Sequence, residues 1–142
     1  MCRLFCFQQL ILSKNNIEKI DPNTFGTNSN GGCCSNLRVL DLASNNLQTL
    51  SADIFLGIPQ LQTLLLADNN FRQIPSTAIE PLAHLTRLDL SGNIELKVVT
   101  DAAFIRNTKL RELILRGCSL STIGNNGFQS LGKRLCMSLW DD

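Results

Sequence analysis

The sequence predicts an α/β solenoid: a horseshoe of stacked coils, with a parallel sheet on its concave face and mostly loops and short helical turns on its convex face. Three observations carry this expectation. One spacing of apolar residues recurs at a period near two dozen residues, the mark of a stacked-repeat chain. It is plainest in LRVLDLASNNLQTLSADIFLGIPQ, residues 37–60, and again in LQTLLLADNNFRQIPSTAIEPLAH, residues 61–84. Within each copy two leucines flank a single residue, and an Asn follows three positions after the second of them. A large apolar residue then closes the copy about ten positions beyond that Asn, on the far side of the coil.

The columns hold through five copies. The paired leucines are Leu10 and Leu12, Leu40 and Leu42, Leu64 and Leu66, Leu88 and Leu90, and Leu113 and Leu115. Alternate side chains on a strand point to opposite faces, so both leucines of a pair point inward and the residue between them points out. The mixed spacing does not fit an amphipathic helix, whose apolar period lies near 3.6. One coil has no means of burying its apolar side alone; stacking seals it, and at least about three copies are required.

The turn column reads Asn15, Asn45, Asn69, Asn93 and Cys118. A tight turn after the strand hides backbone N–H and C=O groups that need partners, and an Asn amide both donates and accepts. Cys118 is a weaker donor and is expected to be buried and structural. The convex column reads Phe25, Phe55, Ile79, Phe104 and Phe128, which fills the space behind the sheet with large apolar side chains.

Taken in order, the copies span residues 7–36, 37–60, 61–84, 85–109 and 110–134 of a single domain, with an irregular end at 135–142. The start, MCRLFCFQQLILSK, has the Arg and apolar run of a signal peptide, but Gln8 and Gln9 interrupt the run. It fits the repeat better through Phe7, Leu10, Leu12, Asn15, Ile17 and Ile20. Between Phe25 and the second copy lies GTNSNGGCCSN, a Gly-, Ser- and Asn-rich insert expected to bulge as a mobile loop. Cys6 precedes the first copy as Cys33 and Cys34 precede the second. A bridge from Cys6 to Cys33 or Cys34 and free thiols on a loop are both open. The second and third copies are the most regular, with Pro59 and Pro81 on the convex return. His84 is read as a surface or packing residue. The fourth copy carries one extra residue, expected as a bulge at Ile94, Glu95 and Leu96. After Phe128 the pattern decays: Ser138 falls where a Leu is expected, although Leu135, Met137 and Leu139 still alternate and leave room for a final edge strand. No polar capping unit is visible at either end, so the chain is expected to be a piece of a longer array.

Composition narrows the function. The 142 residues are 44% hydrophobic and carry a formal net charge of +1, which gives no electrostatic basis for nucleic acid. No apolar run approaches the roughly eighteen residues of a membrane helix. No phosphate loop, paired acid or nucleophile with its base appears, so no cofactor and no catalytic residue is assigned. Six cysteines without a paired C-x-x-C, and one His, give no metal site. There is no Asn-x-Ser/Thr sequon, which counts slightly against a glycosylated, secreted chain.

The leucine, Asn and Phe columns resemble the typical subclass of leucine-rich repeats, with about 24 residues per copy and a convex Phe. The resemblance covers roughly residues 7–136. It implies kinship with ectodomains such as those of Toll-like receptors, Slit-like guidance proteins and chaoptin-like adhesion proteins. It therefore implies a cell-surface or extracellular place within a longer protein. The cysteine-rich caps and signal peptide of such ectodomains are missing here, so a cytoplasmic scaffold or adaptor stands as the alternative. The residues themselves point to the concave face as the contact surface for a protein ligand or receptor partner. Its outward columns are Gln9, Val39, Thr63, Arg87 and Glu112; Ile11, Asp41, Leu65, Asp89 and Ile114; and Ser13, Ala43, Ala67, Ser91 and Arg116. Apolar Val39 and Leu65 among charges suit a protein contact, and about twenty-five outward positions match the 20–30 residues a standard interface uses per side.

Overall fold

A computed structural model of the chain describes residues 8–26, 34–132 and 135–139. In chain order it contains β1 (Gln9–Ile11), β2 (Val39–Asp41), β3 (Thr63–Leu65), α1 (Ser76–Ile79), β4 (Arg87–Asp89), β5 (Val98–Val99), β6 (Glu112–Ile114), β7 (Thr122–Ile123) and β8 (Cys136–Ser138). Six of these strands, one per coil, form a parallel sheet in the order β1-β2-β3-β4-β6-β8. Leu10, Leu40, Leu64, Leu88 and Leu113 align in register across it. This is the expected solenoid.

The strands are short because the chain turns at once. Lys14, Ser44 and Asp68 adopt left-handed φ values of 59°, 53° and 52°, and Gly92 and Gly117 follow at 68° and 65°. These five residues occupy one column, immediately before the turn Asn or Cys. Gly fits that conformation without steric cost, and the other three are held there by the stacking. Their N–H groups continue the ladder: Lys14 donates to Ala43 O at 2.9 Å, and Ser44, Asp68 and Gly92 donate to the next coil at 2.8 Å.

Burial follows the columns. Leu40, Leu42, Leu64, Leu66, Leu88, Leu90, Leu113 and Leu115 are fully buried, whereas Leu10 and Leu12, on the first coil, are half-buried against the core. On the convex side Phe25, Phe55, Ile79 and Phe104 are buried, and Phe128 is half-buried. The rings stand in two pairs, Phe25 with Phe55 at 6.2 Å and Phe104 with Phe128 at 6.1 Å. Ile79, the last residue of α1 in the third coil, interrupts the column of rings between them. The first two coils approach so closely at Gly57 that a Cβ there would lie 2.1 Å from Phe25 O and 2.4 Å from Gly26 O.

Several expectations need correction. Met137, not Ser138, falls in the leucine column: β8 pairs with β6 so that Leu113 faces Met137 and Ile114 faces Ser138. A slip of one residue moves every side chain to the other face, and Ser138 accordingly joins the outward column. Residues 136–138 form the final edge strand for which the sequence left room, within the end read as irregular. A second, two-stranded parallel sheet, β5 with β7, was not anticipated; Gln73 extends it by a bridge to Val98. The insert after Gly26 lies mostly outside the described residues, as do Phe7, Cys6 and Cys33. Whether Cys6 bridges to Cys33 or Cys34 or the thiols stay free, the two readings left open, therefore falls outside them too. Cys34 itself is half-buried and packs against the core.

Candidate functional site

The turn column shapes the site from beneath. Asn69 shows its chemistry. Its Nδ2 donates to Leu66 O at 3.2 Å and Ala67 O at 3.1 Å in its own coil, and to Leu42 O at 3.0 Å in the coil before. Its Oδ1 accepts the Leu47 N–H at 3.0 Å. Asn45 and Asn93 repeat this pattern one coil to either side. All three are buried. Asn15 departs from the expected inward ladder: it is exposed and, among the described residues, bonds Leu12 O and Ser13 O of its own coil.

Cys118 is half-buried, not fully buried as expected. Its thiol donates to Leu90 O at 3.2 Å, which replaces the one bond an Asn would send to the preceding coil. No acceptor is required of it. The extra residue of the fourth copy lies in the turn at Ile94 and Glu95, as expected, and lets Leu96 N–H donate to Asn93 O at 2.9 Å within its own coil. Burial first, and then the charge of Asp89, push the Cys118 thiol up from the ordinary 9.0 to about 11, against the backbone bond from Asn93, which lowers it. The folded chain keeps a proton there that the unfolded chain releases first. The stability this contributes is complete below about pH 9 and is lost as pH climbs through about 11. Because the thiolate is the nucleophile, iodoacetamide at about pH 9 should alkylate Cys118 at least about tenfold more slowly in the folded chain than in denaturant. Peptide-level mass spectrometry checks this, and equal rates would contradict it.

Above this frame the outward columns lie side by side in register. Gln9, Val39, Thr63, Arg87 and Glu112 form one row; Ile11, Asp41, Leu65, Asp89 and Ile114 form the next. Beyond the strand ends, Ser13, Ala43, Ala67 and Ser91 make a low floor, with Arg116 at the end of their row. Ile11 is 61% exposed, whereas Val39, Thr63, Leu65 and Ile114 are half-buried by their neighbours.

The charged members are not equivalent. Asp41 and Asp89 each turn one oxygen back to the backbone. Asp41 Oδ1 accepts the Ala43 N–H at 3.0 Å, and Asp89 Oδ1 accepts the Ser91 N–H at 2.9 Å and its hydroxyl at 2.6 Å. Each thereby ties down the end of its strand. Arg87 forms an ion pair with Glu112 at 2.7 Å, with both side chains about two-fifths exposed. Arg116 Nε donates to Ser138 Oγ.

Two polar features were missed. Asp68, one residue past Ala67, brings its Oδ2 to 3.4 Å from Ser44 Oγ and its Oδ1 over Gly92, where a Cβ would come within 2.1 Å of it. Buried Asn107 donates to Ile79 O at 2.9 Å and Leu82 O at 3.2 Å on the convex side. The signal for Asn107 was present: it stands three residues before Leu110, where the earlier copies carry Ile58 and Leu82. His84, read as a surface or packing residue, is half-buried, with Nδ1 3.3 Å from Lys109 Nζ. Among the described residues no group of His, Cys, Asp or Glu is arranged to hold a metal ion, and no helix is long and apolar enough to cross a membrane.

Comparison with known proteins agrees with this geometry. Leucine-rich repeat families match residues 35–94 and 109–131, together more than half of the chain. Human epiphycan is 34% identical over 110 residues, which cover 77% of this chain and 31% of that protein. Toll-like receptor 3 of Bos taurus is 36% identical over 83 residues, 58% of this chain and 9% of the receptor. The chain thus spans less than a third of each. Toll in its complex with Spatzle, from Drosophila, superposes with a TM-score of 0.81 at 23% identity, over 94% of this chain and 17% of Toll. That likeness shows the shared fold.

Proposed function

The chain belongs to the leucine-rich repeat family, and from that premise we propose that it is a non-enzymatic protein–protein recognition module of an extracellular or cell-surface protein, binding through its concave sheet. One observation carries the reading. The first and third residues of every strand in the six-stranded sheet remain at least partly exposed, while the middle residues of β2, β3, β4 and β6 are buried. The sheet therefore offers one continuous face of fixed side chains, held rigid from below by the Asn ladder. A rigid surface loses little conformational freedom on binding. The Toll–Spatzle complex supplies a precedent for recognition on this fold, and the likeness to epiphycan and Toll-like receptor 3 supports the ectodomain assignment.

Paired variants test the reading. Leu65→Arg places a charge in the centre of the concave face, and Ile105→Arg places one on an exposed convex position (58% exposed). Immobilised chain would be offered a cell-surface protein preparation, and the bound fraction quantified. Leu65→Arg is expected to lose at least about tenfold in retained protein and Ile105→Arg to retain wild-type binding, as central contacts dominate interfaces. Loss confined to Ile105→Arg would refute the concave assignment.

A further inference from the structure

We propose that a recess on the convex side of the solenoid binds an alkylammonium group, independently of the concave face. The recess lies between α1 of the third coil and the convex turn of the fourth, and holds about 90 Å³. Ser76, Thr77 and Glu80 wall it from α1, and Ala102, Arg106 and Asn107 wall it from the coil that follows. Asn107 is only 1% exposed. Its position is apolar in the second and third copies, as Ile58 and Leu82. The backbone does not require an amide there. Ile79 O and Leu82 O, to which its Nδ2 donates, already accept the N–H groups of Leu82 and Leu85 at 3.0 and 3.1 Å. The two side-chain bonds turn the amide nitrogen toward the preceding coil, and the oxygen is left over. Nothing among the described residues donates to that Oδ1. A buried acceptor without a donor is unfavourable, so the recess calls for a ligand that donates.

The surrounding charges select the donor. Glu80 meets Arg106 Nε through one oxygen at 3.4 Å, with both side chains more than half exposed. Such a pair is weak and opens readily. Through Thr77, Glu80 and Arg106 the recess continues into a wider groove of about 580 Å³, where Asp53 adds a second carboxylate. Asp53 forms no ion pair among the described residues. Two carboxylates against one guanidinium favour a cation. An ammonium carries three N–H donors and no acceptor. Asn107 Oδ1, the Glu80 carboxylate and a hydroxyl of Ser76 or Thr77 supply three acceptors for them. An anion would instead face the bare oxygen of Asn107 and the charge of Glu80. Leu56 and Pro81, both half-buried, line the groove and offer apolar surface to an alkyl stem. A lysine side chain of a partner and a free alkylamine both present this group, and the test separates them.

The isotope-labelled full chain would be titrated near neutral pH with pentylamine, pentanol, pentanoate and a capped peptide of one lysine flanked by glycines. NMR would follow the Asn107 side-chain amide and the backbone N–H groups of Thr77 and Arg106. Pentylamine should shift these signals to saturation, and pentanol and pentanoate should not. Asn107→Leu restores the residue type of the third copy, and Glu80→Gln removes only the charge. Each should weaken amine binding at least about fivefold. Glu95→Gln, outside the recess, and Leu65→Arg, on the concave face, should leave it unchanged. Saturation by pentylamine alone assigns a free amine; saturation by the lysine peptide assigns a partner's side chain. Absence of saturation by either amine, equal shifts from pentanol, or undiminished binding to Asn107→Leu overturns the proposal. Circular dichroism verifies folding, and should Asn107→Leu fail to fold, undiminished binding to Glu80→Gln is the overturning result. None of these outcomes bears on protein capture by the concave face, which Leu65→Arg tests separately.

Discussion

Replacing Leu88 by alanine is expected to destabilise the chain by about 2–5 kcal/mol. Leu88 is fully buried at the middle of β4 and aligned between Leu64 and Leu113. The vacated volume has nowhere to go. The strands above and below are fixed by ladder bonds, so the coils do not collapse into it. In a stacked chain each coil rests only on its neighbours, and a defect in a central coil weakens two interfaces at once. Denaturant unfolding followed by circular dichroism should show a lower midpoint and a broader transition. Ile105→Ala, on an exposed convex position, should stay within about 0.5 kcal/mol. Equal effects from the two substitutions would mean that the register of the sheet is wrong.

Asn69→Ala is expected to cost about 2–4 kcal/mol, because truncation leaves one buried donor unsatisfied at about 1–3 kcal/mol and removes further bonds worth about 0.5–1.5 kcal/mol each. The Leu47 N–H loses its partner outright, while Leu42 O and Leu66 O each lose one bond and keep another, from Asn45 and Asn93. Two of them belong to the preceding coil, so the damage crosses a coil boundary. Asn69→Asp should not rescue stability, since a carboxylate accepts but does not donate. The informative contrast is Asn15→Ala, in the same sequence column. Asn15 is exposed and, among the described residues, bonds its own coil, and its loss should cost no more than about 1 kcal/mol. Similar losses for Asn15→Ala and Asn69→Ala, measured by the same unfolding curves, would contradict the ladder.

The leucine, Asn and Phe columns were legible because each repeats one chemical demand at one spacing, and all ten strand leucines answer it. Other features lacked that redundancy. The left-handed column holds Lys14, Ser44 and Asp68 besides its two glycines; three different polar residues announce no common conformation. The alignment of Met137 was ambiguous because the last copy offers no Leu pair, and one position of slip exchanges inside for outside. The second sheet, β5 with β7, depends on two-residue contacts between flanks, too short for any periodicity to register. At the site, the three outward rows were correctly grouped, but Asp41 and Asp89 were read only as solvent-facing. Their bonds to residues two positions ahead became visible only with the backbone traced. Asp68 escaped notice because it belongs to none of the rows read as outward.

The inter-coil amide bonds all run one way. Asn45 reaches to Leu12, Asn69 to Leu42 and Asn93 to Leu66, each toward the amino terminus. A coil taken by itself therefore has its lock open, and the key lies in the next coil. The Leu47 N–H waits for Asn69, twenty-two residues later in the chain. Each coil is thus completed by the one that follows it in the chain.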